Sequence, residues 1–86
     1  SEEKYLKYVQ KVAEEVPIDD IRIGDFLLYQ YGRCISHGAI YVGNNLVVHA
    51  FVDLGVIYSS IDDVLFYDAK GRSRLRAVYR FRKGGK

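Results

Sequence analysis

The sequence predicts an α+β domain: one N-terminal helix followed by an antiparallel sheet of five or six strands. Three observations carry this reading. Apolar residues at helical spacing are confined to the first sixteen positions. From Ile21 onward the hydrophobic period shortens to that of strands, with turn-forming residues between the runs. The 86 residues contain no repeat and no low-complexity linker, which makes residues 1–86 a single domain.

Residues 1–16 read as the helix. Tyr5, Leu6, Val9, Val12 and Ala13 share one face, while Glu2, Lys7, Lys11 and Glu14 lie elsewhere. Val16 precedes Pro17, and a proline drives its predecessor out of the α region, so the helix is expected to stop near Val16. Residues 21–82 read as a β-rich core. Asp25 to Tyr29 follows Gly24 as a buried strand, and Ser36–Val42 and Leu46–Phe51 are two further strands joined by Gly43-Asn44-Asn45. Gly55–Ser59 is a short strand, Ile61–Tyr67 contains a short helical turn, and Lys70–Ser73 is a loop. Leu75, Ala77, Tyr79 and Phe81 then alternate along a last strand, followed by a basic tail at 83–86.

Composition narrows the function classes. With 49% hydrophobic and 28% charged residues the chain is globular and not disordered. No apolar run approaches the roughly 20 residues of a membrane helix, so a membrane partner is not expected. A single cysteine, Cys34, excludes an internal disulfide. The sequence does not begin with methionine, which fits a trimmed start or a piece of a longer chain. The net charge of +2 is unevenly placed, with acidic residues crowding the first 25 positions and basic residues the last 17. The basic stretch fits a solvated edge strand, since Lys and Arg protect edges from further pairing. It also fits an anionic partner, but there is no recognisable nucleic-acid-binding motif, and a basic nucleic-acid-binding β domain ranks last among the functions considered.

The chemistry rests on two histidines. His37 and His49 lie on the two arms of one expected hairpin, so register decides whether they meet. If Gly43-Asn44-Asn45 is a three-residue loop, Val42 pairs with Leu46, Tyr41 with Val47 and Ala39 with His49, and His37 lies diagonal to His49 on the same face at roughly 7–8 Å between Cβ atoms. A two-residue turn reverses the parity and separates the rings. Two imidazoles on one face suit a general base and the group that holds its tautomer. The other reading is of two half-buried strand histidines satisfied by backbone groups. Cys34 stands three residues before His37, which in an uninterrupted strand places it on the opposite face and argues against it as a nucleophile. The set Cys34, His37 and His49 offers three metal ligands but no fourth and meets the same obstacle, so no metal and no cofactor is expected.

The segments Ile23-Gly24-Asp25-Phe26-Leu27-Leu28-Tyr29, Ser36-His37-Gly38-Ala39-Ile40-Tyr41-Val42-Gly43-Asn44 and Val48-His49-Ala50, at these intervals, resemble the NlpC-type cysteine peptidase family. Gly55-Val56-Ile57-Tyr58-Ser59-Ser60 is similar to the stretch that follows in that family, and Leu75 to Arg80 resembles the final strand of phage-encoded members. The resemblance implies a papain-like core, here truncated, and hydrolysis of bacterial cell-wall stem peptides. It implies His37 as catalytic base, His49 as the third polar member of a Cys-His-His triad, and Ser36 and Gly38 as substrate contacts. It implies a setting in a phage virion or a bacterial cell envelope. The family's nucleophile opens a helix ahead of the first strand in an Asp-Cys segment that residues 1–17 do not contain. The cysteine is therefore expected from an upstream segment or a second chain; the alternative is a catalytically inactive wall-binding or phage tail module.

Overall fold

The computed structural model describes residues 2–51 and 53–83, with side chains from Lys7 onward. Helix α1 (Glu2–Val12) runs directly into strand β1 (Ala13–Val16). After Pro17 the chain forms β2 (Phe26–Tyr31), β3 (Cys34–Gly43), β4 (Leu46–Phe51) and β5 (Gly55–Ser60). A single 3-10 turn, η1 (Val64–Phe66), leads to β6 (Leu75–Phe81). The six strands form one sheet in the order β1-β6-β2-β3-β4-β5, and every neighbouring pair is antiparallel. The α+β class and the antiparallel sheet follow the sequence expectation, with six strands rather than five. No described helix is long and apolar enough to cross a membrane.

The helix ends four residues earlier than expected. Pro17 restrains only Val16, but pairing with the free side of β6 is what captures Ala13 to Val16 as a strand. Ala13 is buried there while Glu14 and Glu15 stay exposed, and acidic side chains on a four-residue strand guard an open edge. The last carbonyls of α1, which lack partners within the helix, accept instead from Arg82, the residue that follows β6. The Arg82 N–H donates to Val12 O at 3.0 Å, and its guanidinium donates to Lys11 O at 3.0 Å. Of the expected apolar face, Val9 and Ala13 are buried and Val12 is half-buried; the side chains of Tyr5 and Leu6 lie outside the described residues.

The basic strand is likewise not at an edge. β6 pairs with β1 on one side and β2 on the other, so the sheet's edges are β1 and β5. Its arginines are used within the fold. Arg80 grips the buried Asp25 carboxylate through Nε at 2.9 Å and Nη2 at 2.8 Å, and Nη2 also donates to Asp20 O at 2.9 Å. Burial opposes the charge on Asp25, but the Arg80 hydrogen bond, the Arg22 N–H at 2.8 Å and the two guanidinium charges outweigh it and hold the carboxyl below its ordinary 3.8. Two planar groups meeting in a fork are the strong form of ion pair. This one ties the acidic entry to β2 to the basic final strand.

Alternation along β2 and β6 divides the core. Phe26, Leu28, Ala77 and Tyr79 point toward α1, where they meet Val9 and Ala13. Leu27, Tyr29, Ala39, Val47 and Val78 point to the other face, where Phe66 covers them. η1 is built to deliver that ring. Asp63 caps it by accepting from the Leu65 N–H at 3.0 Å, and the Tyr31 hydroxyl donates to Leu65 O at 2.7 Å, fastening the turn to β2. Phe66 is 1% exposed, and burial of this order stabilises by about 1.5–3 kcal/mol per large apolar side chain. The face under Phe66 is the one that carries both histidines.

Candidate active site

The hairpin β3–β4 places the histidines on one face by a route different from the one expected. Tyr41 pairs with Val47 and Ala39 with His49, as the sequence predicts. The turn, however, has two residues. Asn44 and Asn45 both take positive φ, 57° and 65°, the signature of the tight turn that matches the twist of a hairpin. Gly43 pairs with Leu46, and the ladder shifts register between Tyr41 and Gly43. One extra residue, Val42, thus enters β3 and restores the parity that a two-residue turn alone inverts. Gly43 adopts φ 90°, a conformation that costs a side-chain-bearing residue strain. The tip is pinned to the segment before η1: Asn45 donates through its side-chain amide to Asp62 Oδ2 at 3.0 Å, and its carbonyl accepts from the Ile61 N–H at 2.9 Å.

His37 Nε2 lies 2.8 Å from His49 Nδ1. His49 Nε2 in turn lies 2.8 Å from Ser59 Oγ on β5. The three side chains form a linear hydrogen-bonded series across three adjacent strands. His49 is 3% exposed and rests against Phe66, with ring centroids 5.3 Å apart. His37 is half-buried in an aromatic frame, with the rings of Tyr31 at 5.7 Å, Phe51 at 5.9 Å and Tyr29 at 6.2 Å. Tyr29 is itself stacked on Phe66 at 4.4 Å. Beside His37 opens a pocket of about 200 Å³ lined by Tyr31, Ser36, His37, Ala50 and Phe51.

Both imidazoles are pushed toward the neutral form. Burial lowers the His37 pKa, and the neighbouring His49 lowers it further. Burial lowers that of His49 too, against the opposing pull of the Asp63 carboxylate. A neutral imidazole offers one donor and one acceptor nitrogen. The His37–His49 bond engages Nε2 of His37 and leaves its Nδ1 outside that bond. Such a pair supplies a base with a defined partner; it does not by itself supply a nucleophile.

The other expected site residues separate. Ser36 lines the pocket. Gly38 is not among the lining residues; a Cβ there would meet the Phe26 ring at 2.6 Å, so Gly38 makes room for Phe26 on the helix side of the sheet. Cys34 departs from the expected alternation. A register shift between Tyr29 and Gln30 leaves Ser36 as an extra residue in β3, so that Gln30 pairs with Ile35 and Tyr31 with Cys34. Ile35 packs against the helix-side core and Tyr31 against the histidine-side core. By register Cys34 therefore returns to the face of His37, where simple counting puts it on the opposite one. It occupies the strand end next to the Gly32-Arg33 turn, is exposed, and does not line the pocket. Among the described residues no group of three His, Cys, Asp or Glu side chains is placed to hold a metal ion.

The model of the NlpC/P60 family matches residues 2–74. The chain belongs to the NlpC/P60 family. Three NlpC/P60-like relatives share 39% identity over 54 residues: the murein DD-endopeptidase MepS/murein LD-carboxypeptidase of Escherichia coli strain K12, of E. coli O6:H1 and of E. coli O157:H7. The matched stretch covers 63% of this chain and 29% of each relative, so the chain spans less than a third of the length of these proteins. Within this NlpC/P60 chain, Ser59 is the site residue that sequence reasoning passed over. The available signal was parity: Ile57 and Ser59 share the inward face of β5 while Val56 and Tyr58 point outward, so a hydroxyl takes a position toward the core.

Proposed function

We propose that this chain carries the base and its orienting partner for hydrolysis of murein stem peptides, with His37 as the base and His49 as its partner. The observation that supports this reading is the 2.8 Å bond from His37 Nε2 to His49 Nδ1 beside an open pocket, in a chain related to murein endopeptidases. In the proposed reaction a cysteine thiol transfers its proton to His37 Nδ1, and the thiolate attacks the scissile carbonyl. The imidazolium then protonates the leaving amine, which breaks the peptide bond and leaves a thioester. Water, deprotonated by His37, releases the acid and regenerates the thiol. Through both steps His49 Nδ1 accepts from His37 Nε2–H and keeps the ring oriented.

The thiol comes from outside these 86 residues, from a preceding segment or a second chain, and the sheet and helix belong to a papain-like core completed by that element. The pocket's lining of Tyr31, Phe51 and Ala50 suits apolar parts of a peptide, with Ser36 offering a hydroxyl. The deciding assay supplies the cysteine-bearing element and follows cleavage of isolated muropeptides. Turnover that disappears in His37→Ala supports the proposal; turnover that survives in His37→Ala sinks it. A second reading is favoured by the lining itself, since no thiol is among the described residues there: an inactive module that holds cell-wall peptide without cutting it, as in a phage tail. Saturable muropeptide binding with no cleavage after the thiol is supplied selects that reading.

A further inference from the structure

The geometry points to Ser59 as a positioning residue that sets the direction of the proton series: its hydroxyl oxygen accepts from His49 Nε2–H, which leaves His49 Nδ1 to accept from His37 Nε2–H. The inference rests on the reading of His37 as a base and adds the residue that makes His37 Nδ1 the basic nitrogen.

Two hydrogen bonds of 2.8 Å can be populated in two directions. In one, protons lie on His37 Nε2 and His49 Nε2, and Ser59 Oγ is the terminal acceptor. In the other, the Ser59 hydroxyl donates to His49 Nε2, His49 Nδ1–H donates to His37 Nε2, and His37 carries its proton on Nδ1. The second arrangement has no lone pair on Nδ1 and cannot accept a proton there. It also fails once His37 is charged, because two N–H groups then face each other at 2.8 Å. The first arrangement is compatible with both states of His37, since His37 Nε2–H donates to the same atom before and after protonation. A base that gains and loses a proton without its neighbours turning needs no reorganisation at the moment of reaction.

Ser59 suits this task for reasons of place. It pairs with Val47 in the β4–β5 ladder, while His49 pairs with Ile57, so Ser59 stands diagonal to His49 on the same face. It is 9% exposed, which keeps water from competing as an alternative acceptor. The charged or titratable groups bearing on the two rings are Asp63 before η1, the phenols Tyr29 and Tyr31 beside His37, and the rings themselves. None of these bonds His49 Nε2 among the described residues. Ser59 is the acceptor that nitrogen has.

The test is long-range ¹H–¹⁵N correlation spectroscopy of the two imidazoles in the 86-residue chain above pH 7, which reads the protonated nitrogen directly. The expected result is a single Nε2–H tautomer for both rings, conversion of His49 to a tautomer mixture in Ser59→Ala, and recovery in Ser59→Thr, which restores the hydroxyl. An Nδ1–H tautomer on either ring in the parent chain overturns the inference, as does a Ser59→Ala spectrum identical to the parent's. None of this depends on catalysis, so absence of hydrolysis in the completed enzyme counts against the proposed function and leaves the tautomer result standing. In the completed enzyme Ser59→Ala lowers kcat on the order of tenfold, the kinetic equivalent of one hydrogen bond, with KM unchanged and Ser59→Thr near the parent. A change in KM alone contradicts a positioning role.

Discussion

His37 and His49 meet at 2.8 Å even though the turn between their strands has two residues and not three. The extra residue that a shared face requires sits inside β3, at Val42, where the ladder shifts between Tyr41 and Gly43. The alignment of the site is therefore a property of a bulge, and a bulge of this kind depends on a backbone conformation that glycine adopts readily.

Gly43 is where that dependence is testable. Its φ of 90° puts a side-chain-bearing residue under strain, and an added Cβ would also meet Ile23 Cδ1 at 2.8 Å. Ile23 is 74% exposed and free to swing aside, so the backbone cost dominates. Gly43→Ala is expected to destabilise by about 1–2 kcal/mol in denaturant unfolding. Gly71→Ala is the control: φ is 78°, nothing lies within 4 Å, and a similar loss is expected. The two variants differ in the site. Imidazole resonances of His37 and His49 shift in Gly43→Ala and stay in place in Gly71→Ala; matching spectra count against the bulge as the aligning feature.

Stability should respond to pH in two separate windows. Burial lowers both histidine pKa values in the folded chain below the 6.5 of the unfolded one, with His49 lowering His37 further and Asp63 opposing the shift at His49. The unfolded state then binds more protons, and stability rises with pH through that interval. Full stability is expected above pH 6.5, with a decline as pH falls below it through the depressed folded values. His37→Gln/His49→Gln is expected to flatten this limb. A second loss begins below pH 3.8, where Asp25, held below that value against its burial by Arg80 and Arg22, takes up its proton. Melting temperatures across pH, for parent and double variant, check both; an unchanged upper limb in the double variant removes the histidines as its cause.

Cys34 shares the face of His37 by register but lies outside the pocket lining. In the completed enzyme Cys34→Ser is expected to retain kcat/KM within about twofold, a change below 0.5 kcal/mol. Loss of turnover in Cys34→Ser, with folding intact by circular dichroism, would make Cys34 the nucleophile and refute an external thiol.

Local pattern alone determined much of this molecule. Leu46–Phe51 is visible as a strand because its alternation and flanking Asn and Gly residues depend only on near neighbours. The pairings Tyr41–Val47 and Ala39–His49 were expected from a three-residue loop, whereas a two-residue turn and the extra residue Val42 produce them; the interval between the histidine motifs carried the family. What only the tertiary structure decided involves partners distant along the chain. Ala13 to Val16 left the helix because β6, more than sixty residues later, offered its free side. The arginine strand became interior because β1 closed that side, and Arg80 spends its charge on Asp25. Ser59 joined the histidines through the β4–β5 register, in which a polar residue counts as inward only once its neighbour strand is known. The bulge at Ser36 reversed the face assigned to Cys34, and the bulge at Val42 restored the shared face of the histidines, since one inserted residue inverts the parity of everything beyond it. Sequence period says that a strand has two faces; pairing across the sheet says which side chains share one.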